Sequence, residues 1–157
     1  MHRFLFLIVP LIVFSCSESG KLADEMRNIP DAKWNYNQIP DFMFEVKNPN
    51  MTHNAYLKLR IFKDYQYENI YVLTHFRDSD GKIISTQKKN FTLTDSYGKP
   101  TGKASGNNIN YELPLFENMK LNKAGKYFIA IEQNMRDSVI LGVESIGIKV
   151  KEGNPVF

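Results

Sequence analysis

From Trp34 onward, the chain alternates apolar and polar residues in short runs that are separated by turn-forming residues. Such runs, rich in β-branched and aromatic residues, predict strands whose side chains point alternately to two faces. Many short strands along one chain are typical of a sandwich or barrel, and we predict an all-β fold, a single antiparallel β-sandwich of about seven to eight strands. The predicted strands span residues 34–36, 42–46, 56–62, 70–76, 82–93, 110–121, 126–133 and 143–151.

The clearest predicted turn is the sequence Asp78-Ser79-Asp80-Gly81, which lies between two apolar runs. Aspartate and glycine accept the positive φ of tight hairpin loops, so this step indicates a β-hairpin. We therefore assign both carboxylates to turn geometry. A calcium site is the less favoured alternative, because the further ligands of a loop site are missing.

Strand faces follow from the same alternation. In residues 126–133, both the odd-numbered and the even-numbered sets are partly apolar, as expected for a central strand. In the last run, Ile146, Ile148 and Val150 form the predicted inward face. Pro114 cannot donate a ladder hydrogen bond, so residues 110–121 are expected to form an edge strand or two strands joined at a kink.

The N-terminal segment differs from the rest of the chain. An 11-residue uncharged apolar run, Phe4 to Phe14, follows Arg3. A membrane-spanning helix needs about 20 apolar residues, whereas the apolar region of a signal peptide has about 7 to 15. Residues 1–15 are therefore predicted to be a signal peptide that is removed.

Cys16 is the only cysteine of the chain and closes the sequence Val13-Phe14-Ser15-Cys16. This sequence resembles the bacterial lipobox, in which a small residue precedes a cysteine that becomes acylated. The alternative is a buried free thiol, since cysteine often packs as a small hydrophobic residue. We expect lipidated Cys16 and a flexible, polar tether over residues 16–33, followed by one domain over residues 34–157.

Charge excludes one class of partner. The chain carries 20 Lys and Arg against 17 Asp and Glu, and removal of Arg3 with the signal peptide leaves 19 against 17, or +2. The basic residues are scattered, without the dense stripe that nucleic-acid binding needs. No nucleic-acid partner is predicted.

Candidate catalytic chemistry is sparse. After the signal peptide, the histidines are His53, in a turn-like stretch, and His75, on a strand, and this pair makes no metal signature. No Gly-x-Ser-x-Gly elbow occurs, and the Gly102-Lys103 step lacks the other residues of a phosphate-binding loop. We predict a protein that is not an enzyme and binds no metal or cofactor; a small-molecule ligand is not favoured.

Two segments are unusual for β proteins in general. One is Asp64-Tyr65-Gln66-Tyr67-Glu68-Asn69, a tyrosine-rich corner between strands, and the other is Ile131-Glu132-Gln133-Asn134-Met135-Arg136. Together with the lipobox, they resemble the gliding motility lipoprotein H (GldH) family of Bacteroidota, and the resemblance covers nearly the whole mature chain. The family commonly has proline where this chain has Gln66.

The resemblance implies a non-catalytic envelope lipoprotein, expected in the outer membrane, that serves gliding motility or the linked type IX secretion machinery. We expect the lipid anchor to hold a docking module for envelope proteins of these systems. Tyr65 and Tyr67 are the candidates for partner contact, since tyrosine is favoured at interfaces; either one could instead cap the core. Arg136 could bind a partner or pair with Glu132. The alternative function is a carbohydrate-binding sandwich, for which Trp34 is the only tryptophan.

Overall fold

The computed structural model describes residues 20–156, and these form an antiparallel β-sandwich, as the sequence predicts. The predicted number of strands is too low, because eleven strands and one short 3-10 helix are present in this range. The strands are β1 (Lys21–Asn28), β2 (Lys33–Asn35), β3 (Asp41–Val46), β4 (Met51–Phe62), β5 (Asn69–Asp78), β6 (Ile83–Thr92), β7 (Lys103–Ser105), β8 (Asn108–Lys120), β9 (Gly125–Gln133), β10 (Val139–Leu141) and β11 (Val143–Pro155), and the 3-10 helix is Pro30–Ala32.

The strands form two main sheets and one small sheet. The five-stranded sheet has the order β1-β11-β4-β8-β7, and the four-stranded sheet has the order β3-β9-β5-β6. Strands β10 and β2 form the two-stranded sheet. All pairs are antiparallel, so short connections can join neighbouring strand ends.

The core lies between the inner faces of the two main sheets. From residue 53 to residue 61 of β4, every second residue is buried, and Ile146, Ile148 and Val150 of β11 are buried as the alternation predicts, as are Ile129 and Ile131 on the central strand β9. An aromatic cluster completes one part of the core: the ring centroid of Phe76 lies 6.1 Å from that of Phe44, 5.7 Å from Tyr127 and 5.6 Å from Phe116. Burial of this apolar surface is the main stabilising contribution to the fold.

The sandwich has two ends with different connections. At the end that we call the base, residues 47–50, 79–82 and 121–124 join the strands, and the described chain begins there with Gly20. At the opposite end, which we call the far end, lie residues 63–68, 93–102 and 134–138 and the small sheet. Trp34 of β2 is fully buried there, and its indole N–H donates a hydrogen bond of 2.8 Å to the Gln38 carbonyl oxygen.

The predicted flexible tether is wrong from Lys21 onward. Residues 21–28 form the edge strand β1, which pairs with β11 through the backbone. Gly147 of β11 permits this close approach, because a Cβ atom at that position would collide with the Glu25 carbonyl oxygen. Since β1 is held largely by backbone hydrogen bonds and buries few side chains, its sequence carries little of the apolar alternation that marks the other strands.

Two local expectations have different outcomes. Pro114 lies on β8 at an irregular part of the pairing with β4, and β7 pairs with β8 only as far as Asn110, so this part of β8 is an edge as predicted. The turn assignment of His53 is wrong. His53 lies within β4, because β4 begins at Met51, and its ring is fully buried.

The signal peptide, Cys16 and the first residues of the predicted tether lie outside the described residues. Within residues 20–156, no helix is long and apolar enough to cross a membrane.

Candidate partner-binding surface

The two predicted tyrosines lie side by side at the far end, in the connection between β4 and β5. Their ring centroids are 5.4 Å apart, and the rings are tilted against each other. Tyr65 faces inward, packing near Gly142 and against the core, with its hydroxyl 3.5 Å from the Asn69 carbonyl oxygen. Burial raises the pKa of Tyr65. These contacts match the core-capping alternative for Tyr65.

Tyr67 has a different environment. Its hydroxyl donates a hydrogen bond to Oδ2 of Asp137, a residue 70 positions further along the chain. This hydrogen bond to a carboxylate raises the pKa of Tyr67, because the phenol proton is held by an anion. The contact joins the 63–68 connection to the 134–138 connection across the far end.

Arg136 comes next to Asp137 and is exposed. Within the described part of the chain, Arg136 forms no ion pair. The predicted pairing with Glu132 is not formed; the Glu132 carboxylate lies 3.4 Å from Nε2 of His75 instead. The Arg136 guanidinium therefore remains available for a bidentate contact with a carboxylate.

A buried amide that the sequence analysis did not single out sets the conformation of residues 134–138. The Gln133 side chain is 1% exposed, and its Nε2 donates to the Asp137 and Ser138 carbonyl oxygens at 3.0 and 3.2 Å. Its Oε1 accepts from the Met135 N–H at 2.9 Å. From the interior of the sandwich, Gln133 thus positions the backbone that carries Arg136 and Asp137. The signal was present in the sequence, since Gln133 occupies the inward phase of β9.

The two connections border an open surface pocket with a volume of about 730 Å³. Its lining includes Tyr67, Arg136 and Asp137 from the connections, together with Tyr71 of β5 and Lys88 of β6. The Lys88 ammonium lies 5.1 Å from the centre of the Tyr71 ring, a cation–π distance. The pocket thus combines two aromatic rings, two cations and one carboxylate, a set that suits a polar protein segment.

The other sequence candidates lie apart from this pocket. Asp78 serves the turn as predicted: its Oδ1 accepts from the backbone N–H groups of Asp80 and Lys82 at 3.1 and 2.9 Å. His53 and His75 lie on different sheets. In the described part of the chain, no group of three or more His, Cys, Asp and Glu residues could hold a metal ion.

Comparison with known proteins adds the family. Residues 21–150 match the GldH lipoprotein family, a range that covers both main sheets and the pocket. This chain belongs to the GldH lipoprotein family. Family membership implies a lipid-anchored protein of the cell envelope. A curated relative, the gliding motility lipoprotein GldH homolog of Christiangramia forsetii, is 24% identical over 158 residues, covering 96% of this chain and 95% of the relative.

Two solved structures share a weak likeness with this GldH family member. One is dimeric latent PorU from Porphyromonas gingivalis, with a TM-score of 0.32 and 8% identity, covering 86% of this chain and 13% of that chain. The other is the infectious bursal disease virus Gt strain, with a TM-score of 0.19 and 9% identity, covering 84% of this chain and 43% of that chain. Similarity at this level carries no argument about function.

Proposed function

We propose that this chain is a non-catalytic lipoprotein of the outer membrane that acts in gliding motility, or in the linked type IX secretion machinery, as a docking module for other envelope proteins. In this proposal, residues 1–15 are removed as a signal peptide, and acylated Cys16 anchors the domain. The proposal uses the family membership for the process and the far-end pocket for the mechanism.

The observation that carries the docking role is the position of the pocket relative to the start of the domain. Gly20 lies at the base, whereas Tyr67 and Arg136 lie at the far end. A chain anchored through Cys16 would therefore present the pocket away from the membrane. Tyrosine and arginine are the residue types that dominate binding energy in protein interfaces.

The carbohydrate-binding alternative receives no support from Trp34. Sugar binding by stacking needs an exposed aromatic face, and Trp34 is 0% exposed. A sugar-binding role would have to use another aromatic residue.

The test is co-purification from gently solubilised native membranes, using a tag after Phe157. We expect envelope proteins of the gliding or type IX secretion systems to co-purify with the wild type and to be lost with Cys16→Ala. The double variant Tyr67→Ala with Arg136→Ala should lose the same proteins while remaining anchored and folded by circular dichroism.

The matched control is Tyr97→Ala with Lys99→Ala, which removes a tyrosine and a cation from another far-end connection. Tyr97 is 93% exposed and lies outside the pocket. Capture by this control should equal the wild type. Equal losses in both double variants would contradict the pocket as the docking site, and a wild-type preparation without such proteins would contradict the docking role itself.

A further inference from the structure

The base of the sandwich carries a group of lysines that the docking role does not use. Lys47, Lys82 and Lys123 lie in the three base connections, and Lys120 and Lys126 lie at the adjoining strand ends. All five are exposed, and within the described part of the chain none of them has an ion pair. We refer to these five residues as the base lysines.

The two ends differ in net charge. The base connections, residues 47–50, 79–82 and 121–124, contain three lysines and Asp80, which gives 3 − 1 = +2. The far-end connections, residues 29–40, 63–68, 93–102, 106–107 and 134–142, contain four basic and five acidic residues, which gives 4 − 5 = −1. Positive charge is therefore concentrated at the end where the described chain begins.

Acidic residues near the base only partly offset the lysines. Asp78, Glu152 and Glu45, which lies opposite Lys126 in the β3–β9 pairing, also lie at this end, but the Asp78 carboxylate is engaged by backbone N–H groups of its own turn. Two large apolar side chains stand next to the lysines on the β5–β6 hairpin. Ile83 is 58% exposed and Ile84 is 47% exposed. Lysines together with exposed aliphatic residues are typical of surfaces that contact a membrane interface.

The covalent chain limits how far this end can be from the anchor. Gly20 lies at the base, where its carbonyl oxygen accepts from the Glu152 N–H at 2.8 Å. Four peptide units separate Cys16 from Gly20, and four extended residues span at most about 14 Å. An acyl anchor on Cys16 thus holds the base within a short distance of the bilayer surface.

We propose that the base docks on the anionic headgroups of the bilayer that holds the anchor, with the base lysines contacting phosphates and Ile83 reaching the interface. This inference rests on the acylation of Cys16 in the proposed function. Docking fixes the domain upright, so that the far-end pocket faces away from the membrane. A lysine near an anionic membrane surface contributes electrostatic attraction that falls off within a Debye length.

The experiment places a fluorophore at either end of the full acylated protein in vesicles. Acylation occupies Cys16, so Ser79→Cys at the base and Ser96→Cys at the far end each supply one reactive thiol. Energy transfer to a headgroup dye is measured in phosphatidylcholine vesicles with and without phosphatidylglycerol. With anionic lipid, we expect strong energy transfer from position 79 and weak energy transfer from position 96. This contrast between the two positions should be smaller in neutral lipid or at high salt.

The variant that tests the lysines is Lys47→Gln with Lys82→Gln and Lys123→Gln. If each lysine favours the docked orientation about fivefold, the ratio of docked to undocked domain should fall on the order of 100-fold in anionic vesicles. The matched control is Lys33→Gln with Lys63→Gln and Lys99→Gln, which removes three exposed far-end lysines and should leave the contrast unchanged.

Several outcomes would overturn the proposal. If energy transfer from position 79 changes neither with lipid charge nor with the base substitutions, the lysines do not bind headgroups. Loss of a co-purifying protein with the base variant, without any change in energy transfer, would assign the surface to a protein partner. Mass spectrometry of the N-terminal peptide tests the anchor separately: an acylated Cys16 with no lipid-dependent contrast contradicts only this inference.

Discussion

The base and the far end of the sandwich are connected by the same strands, but the segments that join the strands differ between the two ends. The base has three connections of four residues each and an excess of lysine. The far end has longer connections, a small additional sheet and a hydrogen-bond arrangement centred on Gln133 and the Tyr67–Asp137 contact. Short connections suffice for a charged surface, whereas a shaped pocket needs longer segments that buried side chains hold in place.

The largest expected effect concerns the packing of the far end. Trp34→Ala should lower the free energy of unfolding by about 3–5 kcal/mol, because it removes a fully buried indole and opens a cavity under the small sheet. Urea unfolding followed by circular dichroism measures the change. Tyr36→Ala, two residues later and 55% exposed, should change the value by no more than about 0.5 kcal/mol. Equal effects would mean that the small sheet does not close the core.

The second prediction compares a buried amide at the far end with a turn carboxylate at the base. Gln133→Leu should cost about 1–3 kcal/mol, because it leaves the Asp137 carbonyl and the Met135 N–H without their partner. Asp78→Ala should cost less than about 1 kcal/mol, because water can replace its contacts. Hydrogen exchange of residues 134–138 should accelerate only with Gln133→Leu, and unchanged exchange there would contradict the role given to Gln133.

The third prediction uses His53, on the base half of β4. Burial lowers the pKa of His53 from its ordinary value of 6.5, and this effect outweighs the opposing effect of a backbone contact with Met119. The unfolded chain therefore binds a proton before the folded chain does, so the His53 contribution to stability is complete above pH 6.5 and is lost as the pH falls toward the folded-state pKa.

His53→Leu should reduce this loss of stability, measured by urea unfolding at about pH 7.5 and about pH 5.5. At the higher pH, the change in the free energy of unfolding should stay within about 1.5 kcal/mol, because both side chains fill similar space. His75→Gln serves as the control, since its ring is partly exposed on the outer face of the four-stranded sheet, and the pH dependence should persist. A wild-type slope in His53→Leu would contradict the assignment.

The smallest effect on stability concerns the Tyr67 contact. Asp137→Asn should lower the pKa of Tyr67, because the anion that holds its proton is removed, while the free energy of unfolding changes by less than about 1 kcal/mol. Titration of the tyrosine ring signals by NMR measures the shift. Tyr127, near the base, has its pKa raised chiefly by burial and should titrate as in the wild type. Parallel shifts of both tyrosines would indicate a general change of structure.

Much of the fold could be predicted from the sequence. Alternation in 126–133 and 143–151 marks the strands that form the centre of the sandwich, and the Asp-Gly step marks the turn at residues 79–82. The strand β1 could not be found this way, because its stability comes from backbone pairing with β11, far away in the chain, and from the space above Gly147. The three-residue strands β7 and β10 are too short to show a period.

The candidate site could be predicted only in part from the sequence. Tyr67 and Arg136 stand out as unusual residues in their segments, but alternation specifies faces and not neighbouring strands. The contact between Tyr67 and Asp137 depends on β5 pairing with β9, which no local pattern encodes. The role of Gln133 follows only when its inward position is combined with the hydrogen-bonding needs of the connection that comes after it.

The pairing of β1 from Lys21 onward has a consequence for distance. With acylated Cys16, almost no free chain remains between the bilayer and the folded domain, so strand length sets how far the pocket stands from the lipid. Strands such as β8 and β11 have 13 residues, and at about 3.3 Å per residue they span roughly 40 Å when they run perpendicular to the membrane. In the proposed docked orientation, the domain would act as a rigid spacer that holds the pocket at a nearly constant height above the lipid surface.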